Sequence, residues 1–294
     1  MKKIAFLIIG STVLFQMCTK ELGPNIQLIK PEGSSDSSYI ETSIPAADAK
    51  VVLLEEFSGV HCPNCPKGHI ASENIIAANP NKVVGVTLHV NESRDALTHP
   101  YNFANAQNFQ TEEATSIEAA FAHYASMPCA LIDRVHFSGE PVEAVSNYNA
   151  WAADVTSQLA VTTPVNIKMT NSWDNATRTI RTRIELHYTE AVTADQNLSV
   201  MIAEDGIVNP QYNQTLGGID TFYTHHHNIL RKMMTAATGN TISYPKEKGR
   251  VVIYYLESKN IPALWKEDHL NIIAFVHNSG SSQTVIQTIE KPLK

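Results

Sequence analysis

No basic run occurs anywhere in this 294-residue chain, which carries 22 Lys and Arg against 29 Asp and Glu for a formal charge of −7. Without a cationic stripe to neutralise phosphates, a nucleic-acid partner is excluded. Cysteine is scarce, with four residues at positions 18, 62, 65 and 129. Only one Cys-x-x-C pair can be drawn from them, so a four-cysteine zinc site has no second half, and neither a metal nor a cofactor is expected. The apolar run from Ile4 to Phe15 is too short for a transmembrane helix, which needs about 20 residues.

That short run has its own meaning. Lys2 and Lys3 precede it and Cys18 follows it, the layout of a secretory signal over residues 1–17. It is similar to bacterial lipoprotein signals, in which the cysteine becomes the lipidated first residue, although Phe15-Gln16-Met17 is bulkier than the usual pattern. Residues 18–47 read as a flexible tether, because Gly33-Ser34-Ser35-Asp36-Ser37-Ser38 has no apolar period and Pro24, Pro31 and Pro45 interrupt any helix.

Cys62-Pro63-Asn64-Cys65 carries the most chemistry. The apolar strand signal of residues 51–57 precedes it, and a helical pattern over 65–78 follows. A cysteine at a helix N-terminus meets unpaired N–H groups and the positive end of the helix dipole, which favours the thiolate. Cys62 is therefore the expected nucleophile. A redox dithiol, a static disulfide and half of a metal site are all readings of the pair. The next segments continue the alternation, with a strand over 82–90, one or two helices over 104–124, a strand over 130–137 and a helix over 140–159. This is an α/β pattern, and the β-α-β start calls for a parallel pair.

Residues 48–161 resemble thioredoxin-like domains. Members of that family carry Cys-x-x-C after a central strand, a buried acid six residues before the first cysteine, and a cis-proline before the next strand. Glu56, Cys62, Cys65 and Pro128 occupy those places here, with a helical insertion between Asn91 and Tyr124. The resemblance implies that Cys62 attacks, Cys65 resolves, Glu56 relays a proton and Pro128 positions a substrate backbone. His61 and Cys129 stand where Trp and Thr are common, and both are candidates for an accessory role. Cys129 is either a buried structural thiol, a resolving thiol or a third soft-metal ligand.

From residue 162 to 294 the apolar period changes to two. Ile180, Thr182, Ile184, Leu186 and Tyr188 alternate with Arg181, Arg183, Glu185 and His187, and three further segments repeat the theme. About seven strands in this half favour an immunoglobulin-like β-sandwich, although no Cys-Trp-Cys framework fixes its topology. His225-His226-His227 reads as an exposed polar turn, since on a strand only His225 and His227 share a face and the sequence shows no third ligand beside them.

The signal, tether, Glu55–Pro66 motif and His227–Arg231 segment together resemble the outer membrane protein twenty-eight-related lipoproteins of Bacteroidetes-type bacteria. The expectation is an α/β plus all-β, lipid-anchored protein of the outer membrane, on its periplasmic or cell-surface side. Its function would be thiol–disulfide exchange with protein thiols or disulfides of the cell envelope. A binding or structural lipoprotein that uses the thioredoxin-like fold as a scaffold is the alternative.

Overall fold

The computed structural model describes residues 36–280 and 282–294. The expected signal peptide of residues 1–17, Cys18 and the first part of the expected tether lie outside the described residues.

The N-terminal half is built on strand β2 (Val52–Phe57), helix α1 (Cys65–Ala78) and strand β3 (Val83–Leu88). β2 and β3 pair in parallel, as the β-α-β pattern requires, and β4 (Cys129–Ile132) pairs antiparallel on the other side of β2. Every residue of β2, β3 and β4 is buried. That explains why apolar residues stand side by side on both faces, as in Val52-Leu53-Leu54 and Cys129–Ile132, rather than alternating with polar ones.

Two expected helices are shorter than the sequence pattern indicates. Helix α2 (Glu112–Ile117) begins only at Thr111, whose hydroxyl accepts the Ala114 N–H as an N-cap, and a π-helical turn (Glu118–Ala122) ends it. Upstream, Gln110 is bridged to His89, which commits that backbone to an extended form. The helix expected over 140–159 is α3 (Trp151–Leu159) alone. Val145 exchanges both backbone hydrogen bonds with Ala130 of β4 and also accepts the Trp151 indole N–H, so its peptide groups cannot serve a helix.

Part of the expected tether is ordered. Residues 37–40 form strand β1 (Ser37–Ile40), which pairs antiparallel with β12 (Arg250–Ser258). Asn166 anchors the following stretch by donating to Ala46 O and accepting from the Asp48 N–H.

The C-terminal half supplies β5 (Val165–Asp174), β6 (Thr179–Tyr188), β7 (Gln196–Glu204), β10 (Ile229–Met233), β13 (Leu270–Asn278) and β14 (Val285–Pro292). One sheet has the order β1-β12-β6-β5. The other runs β14-β13-β7-β10-β3-β2-β4, so strands from both halves of the sequence share it across the 161/162 position. The join is β10, parallel to β3 and antiparallel to β7. Packing of the two sheets makes a β-sandwich core from Ile167, Ile184, Leu186, Val200, Ile202, Val252, Ile272 and Ala274.

The shared sheet changes the burial of its central strands. Val200, Ile202, Ile272 and Ala274 face the sandwich core, while Met201, Ala203, Ile273 and Phe275 face a second core with Leu53, Phe57 and Leu88. β7 and β13 are therefore covered on both faces, where the alternating pattern implied one face in water. β6 keeps the expected alternation through Glu185, with Arg181, Arg183 and Glu185 half-buried between buried neighbours, whereas His187, expected on the outer face, is buried against Glu41.

Candidate functional site

Cys62 and Cys65 form a disulfide at the start of α1. The helix enters through Asn64 without a side-chain cap, with Pro66 in its first turn, so its first N–H groups face the disulfide end unneutralised. The buried stripe of the helix then presents Cys65, Gly68, His69, Ser72 and Ile75 at three- and four-residue spacing toward the sheet.

Glu56 meets that stripe. Its side chain is 2% exposed, on the face of β2 that packs against α1. Ser72 donates to Glu56 Oε2 at 2.6 Å, and Oε1 has no hydrogen-bond partner among the described residues. Burial pushes its pKa up to about 8, against the lowering effect of the Ser72 bond and with a smaller upward push from Glu73. At neutral pH the carboxyl is largely protonated and able to give a proton, while its ionised fraction, which grows toward pH 8, can take one.

Gly68 lets these parts approach. A Cβ there would lie 2.6 Å from Glu56 Oε1 and 2.7 Å from Pro128 Cβ, so only glycine fits between the acid and the proline. The Met127–Pro128 peptide is cis, as the resemblance implied.

His69, on the inward stripe of α1, is a further partner at this site. It is 3% exposed, with Nε2 at 2.7 Å from Ser58 Oγ, Nδ1 at 2.7 Å from the Tyr223 hydroxyl, and Nε2 at 3.8 Å from Glu56 Oε1. Burial holds its pKa well below the ordinary value, helped by neighbouring His226, His225 and His227. It is neutral, and its two ring nitrogens tie the dithiol segment to the C-terminal half. The signal for it was its position seven residues after Cys62, on the inward helical stripe.

A hairpin of the C-terminal half covers the disulfide. It consists of β8 (Gln211–Asn213) and β9 (Gly218–Asp220). Gln211 Nε2 donates to Gly59 O at 3.1 Å and Cys62 O at 3.2 Å. Tyr212 N donates to Val60 O at 2.7 Å, and Gln214 N to Pro63 O at 3.3 Å. Cys62 is accordingly 1% exposed and Cys65 fully buried. Nothing in the local sequence around Gln211 marks it as a cover, since its partners lie about 150 residues upstream.

The two accessory candidates part company. His61 is half-buried at the edge of the disulfide, stacked on His99 at 3.8 Å and packed on Tyr101 at 3.9 Å. Burial and His99 lower its pKa. Cys129 is fully buried in the core with Phe57, Leu131 and Tyr124, and burial raises its pKa well above the ordinary value, with Glu56 adding to the effect. Its thiol stays protonated and is not a ready nucleophile or metal ligand.

His225 and His227 are not alone. Glu73 of α1 stands between them, with Oε1 at 2.8 Å from His225 Nδ1 and 3.1 Å from His227 Nε2. The reason for setting these histidines aside, the want of a neighbouring carboxylate, does not hold in the fold.

The family described as outer membrane protein Omp28 matches the chain over residues 116–294. The chain belongs to that family. The matched region takes in Pro128, Cys129, the hairpin and the His227–Arg231 segment, and it leaves out the Glu55–Pro66 motif. Among solved structures, the fold is similar to HBP35 of Porphyromonas gingivalis, with a TM-score of 0.60 and 16% identity over 85% of this chain and 77% of that one. It is also similar to the protein AGR_C_4864 of Agrobacterium tumefaciens, with a TM-score of 0.52 and 12% identity over 85% of this chain and 97% of that one. These likenesses concern the fold. No protein of curated function matches the sequence. No helix among the described residues is long and apolar enough to cross a membrane.

Proposed function

We propose that this outer membrane family member is a thiol–disulfide exchange protein of the cell envelope, held at the membrane by a lipid on Cys18. Residues 48–161 are read as its thioredoxin-like unit and residues 162–294 as an immunoglobulin-like sandwich that shares a sheet with it. The observation that carries the reading is a closed Cys62–Cys65 disulfide at an uncapped helix N-terminus with a buried, proton-holding Glu56 behind the same helix.

In the reductive half-reaction, Cys62 thiolate attacks a client disulfide and forms a mixed disulfide, expelling the client's other sulfur as a thiolate. Cys65 gives its proton to the ionised fraction of Glu56, which grows as pH approaches 8, then attacks Cys62 Sγ and releases the client's second thiolate, closing the Cys62–Cys65 bond. Two electrons pass from the dithiol to the client, and the reverse sequence oxidises a client dithiol. Pro128 lies beside the site on Gly68 and is the residue read as aligning a client backbone.

The test is trapping. Cys65→Ala should accumulate mixed disulfides with envelope proteins that dissolve on reduction, and adding Cys62→Ala should abolish them. Equal recovery from both variants would reject the exchange reading. A second reading, a binding or structural protein with an inert disulfide, has one observation in its favour: the hairpin leaves Cys62 only 1% exposed. It predicts no trapped species from Cys65→Ala.

A further inference from the structure

We infer that Glu73, His225 and His227 form a binding site for one divalent transition-metal ion of the Zn(II) type. The inference is independent of the exchange reading, since it uses neither cysteine nor Glu56.

Three observations carry it. The first is convergence. The two histidines come from the extended segment that follows the hairpin, and Glu73 comes from α1, 152 residues earlier in the case of His225. One ligand atom from each lies within 4.8 Å of the other two, and Glu73 Oε1 stands 2.8 Å from His225 Nδ1 and 3.1 Å from His227 Nε2, close to the separation of two ligands that share one ion at ordinary Zn–N and Zn–O distances.

The second is orientation. His227 Nδ1 lies 2.7 Å from Asp205 Oδ1, which also accepts the Asn228 N–H at 3.3 Å. Asp205 Oδ1 accepts a hydrogen bond from the Nδ1–H tautomer, which leaves Nε2 aimed at Glu73 Oε1, 3.1 Å away. Carboxylates behind ligating histidines serve this purpose in metal sites. An imidazole lone pair facing a carboxylate oxygen at that distance repels it unless a cation, either a proton or a metal ion, lies between them.

The third is access. The side chains of His225, His227 and Glu73 are 42%, 44% and 30% exposed, so an ion can enter and keep water in its remaining positions. Between the two, His226 points inward and is 1% exposed, as alternation along an extended segment requires. Two imidazoles and one carboxylate favour Zn(II) and its first-row neighbours over Mg(II) or Ca(II), which prefer oxygen ligands throughout. Bound there, the ion ties the segment behind the covering hairpin to the helix that begins at Cys65.

The experiment titrates tag-free full chain, stripped with chelator, against Zn(II) in competition with a chromogenic chelator. Co(II) absorption reports coordination and Mg(II) is the negative control. We expect one Zn(II) per chain, a rise in melting temperature on adding Zn(II), and no response to Mg(II). H225A/H227A should lose the site, and Glu73→Gln should weaken it by about tenfold or more while melting like the wild type in chelator. Asp205→Asn, which keeps all three ligands, should weaken it by about 10- to 100-fold. Absence of stoichiometric Zn(II) binding by the wild type, meaning that protons alone hold the cluster, would overturn the inference. So would binding that survives in H225A/H227A, which places the ion elsewhere, or binding indifferent to Glu73→Gln, which removes the third ligand from the assignment.

Discussion

Adjacent carboxylates on one strand meet opposite fates. Glu55 points to one face of β2 and Glu56 to the other, and both are almost completely buried. Glu55 is paid in full: the Arg134 guanidinium donates to both of its oxygens, at 2.7 and 2.6 Å, and is itself sandwiched against Phe121 and Phe275, 4.0 and 5.0 Å from the ring centroids. Glu56 receives one hydroxyl and has no cation beside it, since His69 is neutral. A buried charge with a bidentate partner stays a charge, whereas one without a partner takes up a proton. The first arrangement is structural, tying β2 to the segment after β4. The second leaves a proton in reserve beside the helix that carries the disulfide.

The largest expected effect breaks the Glu55 side. Arg134→Ala leaves a buried carboxylate uncompensated and should cost about 3–5 kcal/mol in denaturant unfolding. Adding Glu55→Leu should restore most of it, because the pair as a unit contributes little net stability. A small effect of the single substitution would mean that water reaches Glu55.

The next concerns Glu56 and is read in pH. Folded, it titrates near 8, and unfolded near the ordinary carboxylate value of about 4.3, so between these the folded chain holds the extra proton. Its favourable contribution is complete below about pH 4 and is lost as pH rises through about 8. Each pKa unit corresponds to about 1.4 kcal/mol, so Glu56→Gln should flatten a decline of a few kcal/mol and be relatively more stable at pH 8 than the wild type. Parallel stability–pH curves for the two proteins would remove the distinction between the faces. Arg134 should have no comparable influence on that slope.

How much of this was legible in the sequence depends on how local the signal was. The β2–α1–β3 order, the dithiol and Glu56 were readable because an apolar run at residues 51–54, a six-residue spacing and a helical stripe all fall within 40 positions. Arg134 was not, because it reaches Glu55 across 79 residues through a backbone turn with positive φ at Asp133 and Arg134. The sandwich strands were found but their surroundings were not: Met201, Ala203, Ile273 and Phe275 looked like the minor face of an exposed strand and turned out to line a second core. Pattern reports what a strand is made of, and only the sheet order reports what lies on each side. The Glu73–His225–His227 cluster and the Gln211 cover were hidden for the same reason, as each is assembled from the two halves.

The smallest expected effect sharpens the Glu56 side. Ser72→Ala removes its one hydrogen bond and should cost about 1 kcal/mol at high pH, where the acceptor is charged. It should also raise the Glu56 pKa further, since that bond favours the ionised form. An unchanged midpoint in the stability–pH curve would show that the bond has no hold on the carboxyl.

The central claim is that Cys62–Cys65 is an exchange centre rather than a fixed cross-link. The direct measurement is an equilibrium titration of the folded chain in graded glutathione buffers at pH 7, with acid quenching, alkylation and mass analysis of Cys62 and Cys65, and circular dichroism on the same samples. The account predicts that the disulfide opens and recloses reversibly while the fold stays intact, and that Gln211→Ala, which frees the Cys62 carbonyl from the hairpin, speeds the opening. A disulfide that opens only when the chain unfolds would contradict it.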